Sequence, residues 1–497
     1  MDTALYLTAS LRQIEGRHRD EALMQRAGAA AAAWAGELAG QAGRPILILA
    51  GPGNNGGDAF EAATLLRQRF FAVCVVFIGD AAQLPADAAA AYQRFREAGG
   101  TTSDRIPTDQ RWALIVDGLF GIGLNRAPDE PYAALIDEAN RLAERDACPL
   151  LALDIPSGLN ADTGFAPGAA IRASQTITFI AATPGLLTAA GPDHCGNIRL
   201  ASLDLNTLDE FPPDGRRLDV SSFAGRLKPR PQNSHKGTYG SAGILGGSPS
   251  MVGAAFLASM AALKLGTGRV YLGLLDPQAP TFDPLQPELM LRRPQALLQT
   301  ALSALACGPG LGVSLEASEL LEAAIGLDLP LVLDADALNL ISSEGNLQVA
   351  LASRSQPAIL TPHPAEAARL LECSTAEVQV DRIAAAQEIA GHFNCHVALK
   401  GCGTVIAAVD GRWWVNSTGN PGMAAAGMGD VLTGLIVALL AQGWPAEAAL
   451  LAGVHLHGAA ADRLVASGIG PVGLTAGEVI DATRSVFNDW VVQRTGG

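Results

Sequence analysis

Short aliphatic runs alternate with segments of helical period along the first half of the chain. The aliphatic runs are typical of buried strands and lie at residues 46–50, 72–78, 113–116 and 150–153. Between them, the composition and spacing of apolar residues predict helices over 59–69, 81–98 and 132–145. This β-α-β-α order predicts a parallel, doubly wound sheet that binds ligands at the carboxyl ends of its strands.

A second alternation follows a segment rich in proline and charge. Residues 205–231 contain FPPDG and KPRP, which are typical of a linker. Beyond it, strands are predicted at 242–245, 269–274, 304–307, 331–334, 359–361, 396–400, 404–408 and 412–415, with helices at 251–265, 314–324, 430–442 and 446–467. We therefore predict an α/β protein of two doubly wound α/β/α domains, residues 1–218 and 222–497, which suits a chain of 497 residues.

Composition excludes several classes of protein. Lys and Arg total 34 against 49 Asp and Glu, so the net charge of −15 disfavours a nucleic-acid-binding protein. Apolar residues make up 49%, as in a folded chain, yet no apolar run approaches the ~20 residues that span a bilayer. The N-terminus lacks a secretory pattern, and the seven cysteines show no metal-finger spacing. We expect a cytoplasmic homo-oligomer that binds neither membranes nor nucleic acids.

Three strand ends in the first half carry glycine-rich or acidic motifs. GPGNNGGD at 51–58 forms a strand-to-helix turn whose bare backbone amides could hold an anion; the alternative is a tight turn with Asp58 as the helix N-cap. VDGLFGIGL at 116–124 and LDIPSGLNADTG at 153–164 place Asp117 and Asp154 at the next strand ends. These carboxylates suit proton transfer or cation binding, although each could also cap a helix.

Together these three motifs resemble the NAD(P)H-hydrate epimerase family over roughly residues 1–215. The resemblance implies a Rossmann-like fold, contacts to the hydrated nucleotide and a potassium ion held by Asn55, Asp117 and Ser157. The implied hydrate-binding residues are Asn54, Asn55, Gly56, Gly57, Asp58, Gly121, Ile122, Gly123, Leu124, Asn125, Arg126, Ala127 and Asp154. Either Asp117 or Asp154 would assist proton movement at the ring. Two departures are Ala59-Phe60 in place of Gly-Tyr and Ile122 in place of threonine.

The second half carries further strand-end motifs. CGPGLG at 307–312 is a second turn able to receive an anion, and LDADALN and TPHPAE follow the next two predicted strands. KGCGT at 400–404 holds one of only four lysines in the chain. GNPGMAAAGMGD at 419–430 ends in GxGD where an apolar helix begins, so backbone amides and a carboxylate would face a phosphoryl group. Alternatively, Asp430 only caps that helix.

This set of motifs resembles the ADP-dependent NAD(P)H-hydrate dehydratase branch of the ribokinase-like superfamily, over roughly residues 222–490. The resemblance implies that Ala254, Gly312, His363 and Asp430 contact the hydrated nucleotide. Lys400, Gly401, Cys402, Gly403, Thr404 and Gly429 would hold ADP and the AMP derived from it, with magnesium on the phosphates. With both halves in this order, the chain resembles bifunctional NAD(P)H-hydrate repair enzymes, which epimerise the R and S hydrates and dehydrate the S form with ADP.

Two other functions remain open at the level of sequence. A ribokinase-like kinase of a small alcohol shares the GxGD arrangement, and its first domain would then only bind a ligand. Such a kinase would accumulate a phosphorylated product, whereas a dehydratase releases phosphate. Alternatively, the first half is a binding or scaffold domain, against which the presence of Asn55, Asp117, Asp154 and Ser157 argues.

Overall fold

The computed structural model of the chain describes residues 3–40, 43–206 and 211–495. The chain forms two compact units, Met1–Arg217 and Leu218–Gly497. Each unit contains its own hydrophobic core and its own set of parallel strands. Among the described residues, no helix is long and apolar enough to cross a membrane.

The first unit alternates strands and helices. Its strands are β1 (Ala4–Leu5), β2 (Ile46–Ala50), β3 (Val73–Phe77), β4 (Thr102–Ser103), β5 (Leu114–Gly118), β6 (Leu150–Leu153), β7 (Gln175–Phe179), β8 (Asn197–Ala201) and β9 (Gly215–Leu218). Its helices are α1 (Thr8–Arg17), α2 (Leu23–Ala39), α3 (Asn54–Gln68), α4 (Ala86–Glu97), α5 (Tyr132–Asp146) and α6 (Gly191–Cys195). Strand β9 pairs antiparallel with β1, and its last residue, Leu218, is the first residue of the second unit.

The sheet of the first unit is parallel, with the order β4-β3-β2-β5-β6-β7-β8. Alternate residues of β2 point to opposite faces: Ile46 and Ile48 join the core under α1 to α4, while Leu47 and Leu49 join the core under α5. The strand order reverses between β2 and β5. Such a switch point opens a crevice at the carboxyl ends of the two strands.

The second unit contains the remaining elements. Its strands are β10 (Ser241–Gly246), β11 (Arg269–Leu274), β12 (Met290–Arg292), β13 (Ala304–Cys307), β14 (Leu331–Leu333), β15 (Ala358–Leu360), β16 (His396–Leu399), β17 (Thr404–Ala407) and β18 (Trp413–Asn416). Its helices are α7 (Val252–Lys264), α8 (Pro294–Leu298), α9 (Leu315–Ile325), α10 (Asp336–Ser343), α11 (Gly345–Ala352), α12 (Pro364–Leu370), α13 (Thr375–Val380), α14 (Arg382–Phe393), α15 (Met428–Ala441), α16 (Ala446–Ala466) and α17 (Ala476–Thr495).

These strands lie in the order β18-β17-β16-β15-β14-β13-β10-β11-β12. Strands β12 to β16 run parallel to β10 and β11, and β17 and β18 form an antiparallel meander beside β16. The order reverses between β10 and β13, which defines a second switch point. Helices α7, α15, α16 and α17 pack on one face, where their small and aliphatic residues form the largest core cluster.

Two capping alternatives from the sequence are wrong. Helix α3 begins at Asn54, five residues before the predicted start, with Gly53 as its N-cap, so Asp58 lies inside the helix. Helix α15 begins at Met428 with Gly427 as its N-cap, and no side chain caps it, so Asp430 is not a cap. Neither Asp58 nor Asp430 is therefore explained by helix capping.

The predicted linker segment carries secondary structure. Strand β9 and short 3-10 turns at Val220–Ser222 and Ala224–Arg226 lie within it, while residues 207–210 are outside the described residues. The chain divides into its two units within this segment, after Arg217.

Candidate active sites

The first unit contains a cavity of about 710 Å³ at its switch point, within the usual range for small-molecule sites. The loops after β2, β5 and β6 form much of its wall, and helix α1 contributes another part. Among the lining residues are Glu15, Asn54, Asn55, Asp58, Gly121 and Asp154. The three predicted strand-end motifs thus meet in one place, as a doubly wound sheet requires.

Asp154 holds a strained position in this wall. It has a left-handed φ of 67°, which is uncommon for a residue with a side chain and is often found at functional sites. Its Oδ2 accepts a hydrogen bond from the Ile122 backbone N at 2.9 Å. A Cβ added to Gly121 would lie 2.6 Å from the same oxygen, so a larger residue here would displace the Asp154 carboxylate. Burial raises the pKa of Asp154 to about 6, in the range suited to proton transfer.

Asp117 lies behind the cavity wall, fully buried. Its Oδ1 accepts hydrogen bonds from the Ser157 hydroxyl at 2.6 Å and the Leu119 N at 3.2 Å, and its Oδ2 accepts one from the Ser157 N at 2.8 Å. Burial raises its pKa to about 6, and the bonds from Ser157 and Leu119 oppose that rise. Asp117 therefore joins the two loops from the inside, while Asp154 faces the cavity.

Asn55 is buried in the first turn of α3 and lines the same cavity. Its Nδ2 donates to the Leu153 carbonyl at 3.3 Å, which ties α3 to the end of β6. Its Oδ1 is buried and has no hydrogen-bond partner in the described part of the chain. A buried acceptor without a donor is costly, so this oxygen is a candidate ligand for a cation or a water.

The structure brings together some of the predicted hydrate-binding residues but not all. Asn54, Asn55, Asp58, Asp154 and residues 121–124 line the cavity. Gly56 and Gly57 are buried and do not line it: an added Cβ would lie 2.0 Å from the Gly51 O and 2.6 Å from the Met24 Sδ, respectively. These glycines permit close packing of α3. Asn125, Arg126 and Ala127 also lie outside the cavity lining.

Helix α1 supplies charged residues that sequence analysis missed. Its apolar residues Leu11 and Ile14 are buried in the core, and this turns Arg12 and Glu15 towards the cavity, which both of them line. Asp162 fixes the start of the helix because its Oδ1 accepts from the Thr8 N at 2.7 Å and the Thr8 hydroxyl at 2.8 Å. The sequence signal was the i, i+3 pair of opposite charge beside the apolar positions, which is common on solvated helices.

Three carboxyl groups influence one another in this cavity. Burial by the surrounding walls, followed by the charge of Asp154, raises the pKa of Glu15 to about 7, while Arg12 lowers it. Glu15 is an exposed residue, so the walls desolvate its side chain only in part. Burial and the charges of Asp154 and Glu15 also raise the pKa of Asp58 well above its usual value. Near neutral pH, Glu15 is therefore partly protonated and can donate a proton.

In the second unit, an ion pair between buried Asp334 and partly buried Lys400 lies at the ends of β14 and β16. The Lys400 Nζ contacts the Asp334 Oδ1 at 2.6 Å, and the Thr433 hydroxyl donates to the Asp334 Oδ2 at 2.8 Å. The Glu366 Oε2 lies 4.0 Å from the Lys400 Nζ. Burial alone would lower the pKa of Lys400, but Asp334 and Glu366 outweigh it and raise that pKa. Lys400 is thus a fixed positive charge at the carboxyl end of β16.

Asp430 lies in the first turn of α15, where backbone amides of the helix N-terminus are unpaired within the helix. Burial and the nearby charge of Asp334 raise its pKa to about 6, although Lys400 lowers it. A Cβ added to Gly429 would lie 3.3 Å from the Lys400 Nζ. The predicted residues Lys400, Gly429 and Asp430 are therefore brought together, with Asp334 added by the structure.

The remaining predicted residues lie at neighbouring strand ends. Gly312 follows β13 and donates its N–H to the Asp336 Oδ2 at 2.9 Å, and Ala254 lies in the first turn of α7 after β10. His363 caps α12, where its Nδ1 accepts from the Ala365 N at 3.1 Å. The turn that contains Gly401, Cys402, Gly403 and Thr404 is secured by buried Arg382, which donates to the Lys400 carbonyl at 3.2 Å. The sequence places Asp334 in the strand-end motif LDADALN without a predicted role, and no motif indicates Arg382.

Two protein families match the chain, one in each unit. Residues 20–185 match the family described as YjeF-related protein N-terminus, and residues 242–482 match the family described as NAD(P)H-hydrate dehydratase. The bifunctional NAD(P)H-hydrate repair enzyme Nnr of Escherichia coli is 37% identical over 460 residues, which is 91% of this chain and 86% of that protein. The enzyme of the same name from Coxiella burnetii is 36% identical over 505 residues, covering 98% of this chain and 100% of that protein. The chain belongs to the bifunctional NAD(P)H-hydrate repair enzymes.

The first matched region contains the loops after β2, β5 and β6, and the second contains Lys400 and Asp430; helix α1 lies before the first matched region. The crystal structure of protein SMU.573 from Streptococcus mutans superposes with a TM-score of 0.50 and 27% identity, covering 55% of this chain and 99% of that chain. The predicted α/β class with parallel, doubly wound sheets is confirmed.

Proposed function

We propose that the chain repairs hydrated NADH and NADPH with two activities. The first unit interconverts the R and S hydrates, and the second unit dehydrates the S form with ADP, giving NAD(P)H, AMP and phosphate. The observation that carries the proposal is the pair of strand-end sites, one in each unit, whose carboxyls Asp154 and Asp430 have pKa values raised to about 6. Family membership over most of the chain favours this function over a small-molecule kinase.

The second unit would make the hydrate hydroxyl a better leaving group. Asp430 takes the proton of that hydroxyl. The hydroxyl oxygen attacks the β-phosphoryl group of ADP, and AMP departs. Lys400 and the amides at the start of α15 face the charge that develops on the phosphoryl oxygens. Loss of phosphate and of a proton from the neighbouring carbon then restores the double bond of the dihydronicotinamide.

Residues of the 400–404 turn and Gly429 would hold the nucleotide, and Ala254, Gly312 and His363 the hydrate. Among the described residues, no group of three or more His, Cys, Asp or Glu side chains could form a metal cage. Mg²⁺ commonly binds through substrate phosphates and water with few protein ligands. We therefore propose that the phosphates of ADP carry the magnesium ion. When bound, magnesium neutralises charge on the transferring phosphoryl group.

The residues of the first unit fit a potassium ion. The unpartnered Asn55 Oδ1 lies beside the loops that Asp117 and Ser157 join, and all three side chains are buried and offer hard oxygen atoms. We propose these three residues as its ligands. When bound, potassium supplies the missing partner of Asn55 and orders the loops around the cavity.

Potassium should stabilise the first unit through Asn55. At ten times the dissociation constant it should add about 1.4 kcal/mol to the free energy of unfolding, relative to choline at equal ionic strength. Asn55→Leu should abolish this difference in thermal unfolding because it removes Oδ1. Asn140→Leu is the control, since both polar atoms of the Asn140 amide are already bonded. An undiminished potassium effect in Asn55→Leu would exclude the proposed ligand.

The stoichiometry of the reaction separates dehydratase from kinase. With purified S hydrate and ADP, the chain should form NAD(P)H, AMP and inorganic phosphate in equal amounts. A kinase would instead accumulate a phosphorylated nucleotide without release of phosphate. Chromatography of the nucleotides combined with a phosphate assay distinguishes these outcomes, and a stable phosphate ester as the final product would refute the proposed function.

A further inference from the structure

Helix α1 brings a second carboxyl to the cavity of the first unit. Glu15 comes from this helix, and Asp154 comes from the loop after β6, so the two belong to different parts of the wall. The bonds from Asp162 to Thr8 fix the helix, and buried Leu11 and Ile14 set its rotation. These contacts fix the position of Glu15 on the cavity wall. The unpartnered Oδ1 of Asn55 in the same cavity independently indicates a ligand.

The pairing of these carboxyls matters because epimerisation needs an acid and a base. Hydration of the enamine double bond places the hydroxyl on the carbon bonded to the ring nitrogen, so inversion requires that a C–O bond break and form again. An acid must assist the departure of the hydroxyl, and a base must accept a proton from the incoming water. We propose that Glu15 and Asp154 act as this acid and base, sharing one proton between them. This inference rests on the proposed epimerase activity.

The proposed step balances in atoms and charge. Glu15 gives its proton to the hydroxyl, the C–O bond breaks, and its electron pair leaves with oxygen as water. The lone pair of the ring nitrogen forms a C=N bond. Water then adds to the opposite face, the electrons of the C=N bond return to nitrogen, and Asp154 takes the proton. The reverse conversion begins with the proton on Asp154, so the pair can work in both directions.

Other charged groups explain why Glu15 is suited to this role. Asp154 faces it from the loop after β6, Asp58 from α3 and Arg12 from its own helix. With the pKa of Glu15 near 7 and that of Asp154 near 6, one proton resides on the pair around neutral pH. Burial and the charges of Asp154 and Glu15 raise the pKa of Asp58 well above its usual value. Asp117 is buried behind the wall and does not line the cavity.

The test is the rate of R/S equilibration in full-length variants without ADP, followed by chromatography of the epimers. Glu15→Gln should slow enzymatic equilibration about 10²- to 10⁴-fold. Glu15→Asp should recover much of the loss because it keeps the carboxyl. The wild-type rate should fall above pH 7 as Glu15 loses its proton, and Glu15→Gln should lack this alkaline limb. Glu97→Gln, on the exposed surface of α4, is the matched control.

The outcomes separate this inference from the proposed function. If the wild type does not equilibrate the epimers, the epimerase activity itself is refuted. If the wild type does so and Glu15→Gln matches it, the paired carboxyls are refuted. Equal loss in Glu15→Gln and Glu15→Asp would also overturn the pairing, because the position and not the carboxyl would then matter. ADP-dependent dehydration of the S hydrate and an unchanged melting temperature verify that each variant is folded.

Discussion

Asp430→Asn should lower ADP-dependent formation of NAD(P)H from the S hydrate about 10²- to 10⁴-fold, the usual contribution of a general base. The amide keeps the shape of the side chain but cannot take the hydroxyl proton. Nucleotide binding should change little, because Lys400 and the backbone amides of α15 remain. Single-turnover kinetics measure the loss, and calorimetry measures ADP binding. R/S equilibration should be unaffected, since that site lies in the other unit.

The pH profile gives a second check on Asp430. In the wild type, turnover should rise with pH through about 6 and then level off, because the base must first lose its proton. This limb should disappear in Asp430→Asn. Asp328→Asn is the matched control: Asp328 is exposed in the same unit and accepts a bond from the Gln356 side chain at 2.9 Å. Wild-type turnover in Asp430→Asn would show that another group takes the proton.

Asp154→Asn should slow equilibration of the epimers by a similar factor of about 10² to 10⁴. The left-handed backbone and the bond from the Ile122 N can both persist, because the amide oxygen still accepts. Dehydration of purified S hydrate should stay near the wild-type rate. Chromatography of the epimers measures the first activity, and dihydronicotinamide absorbance measures the second.

Asp137→Asn is the control for this change, since Asp137 is exposed on α5 and does not line the cavity. Loss of both activities in Asp154→Asn would point to a folding defect or to coupling between units. Unchanged equilibration would remove Asp154 from the proposed chemistry and leave the epimerase proposal to rest on other groups.

The sheets could be predicted because buried parallel strands have near-continuous aliphatic sequences. Strands β2, β6, β11 and β13 have the predicted bounds. Helix α3 was predicted to start late because Asn and Gly usually indicate turns. Its early start depends on tertiary packing, since Gly56 and Gly57 fit closely against Gly51 and Met24, which no local pattern records. Strands β7 and β8 were not predicted, because their polar residues interrupt the aliphatic pattern that indicates a buried strand.

The candidate sites could be predicted where a motif ends a strand. Topology then gathers such motifs at a switch point, as it does for Asp154 and Asp430. Glu15, Arg12 and Arg382 could not be found in this way, because they lie on helices whose charged residues are typical of a solvated surface. Their roles depend on which side of each helix packs against the rest of the unit, and this is set by tertiary structure. The homo-oligomer and the cytoplasmic location stay predictions.

If one chain performs both conversions, the fate of pure R hydrate shows it most directly. Without ADP, the wild type should convert R hydrate to the R/S mixture and form no NAD(P)H. When ADP is added, all of the hydrate should become NAD(P)H, with Asp154→Asn stalled at R and Asp430→Asn stalled at the mixture. R hydrate that persists in the wild type at the uncatalysed rate, while S hydrate is consumed, would contradict the account.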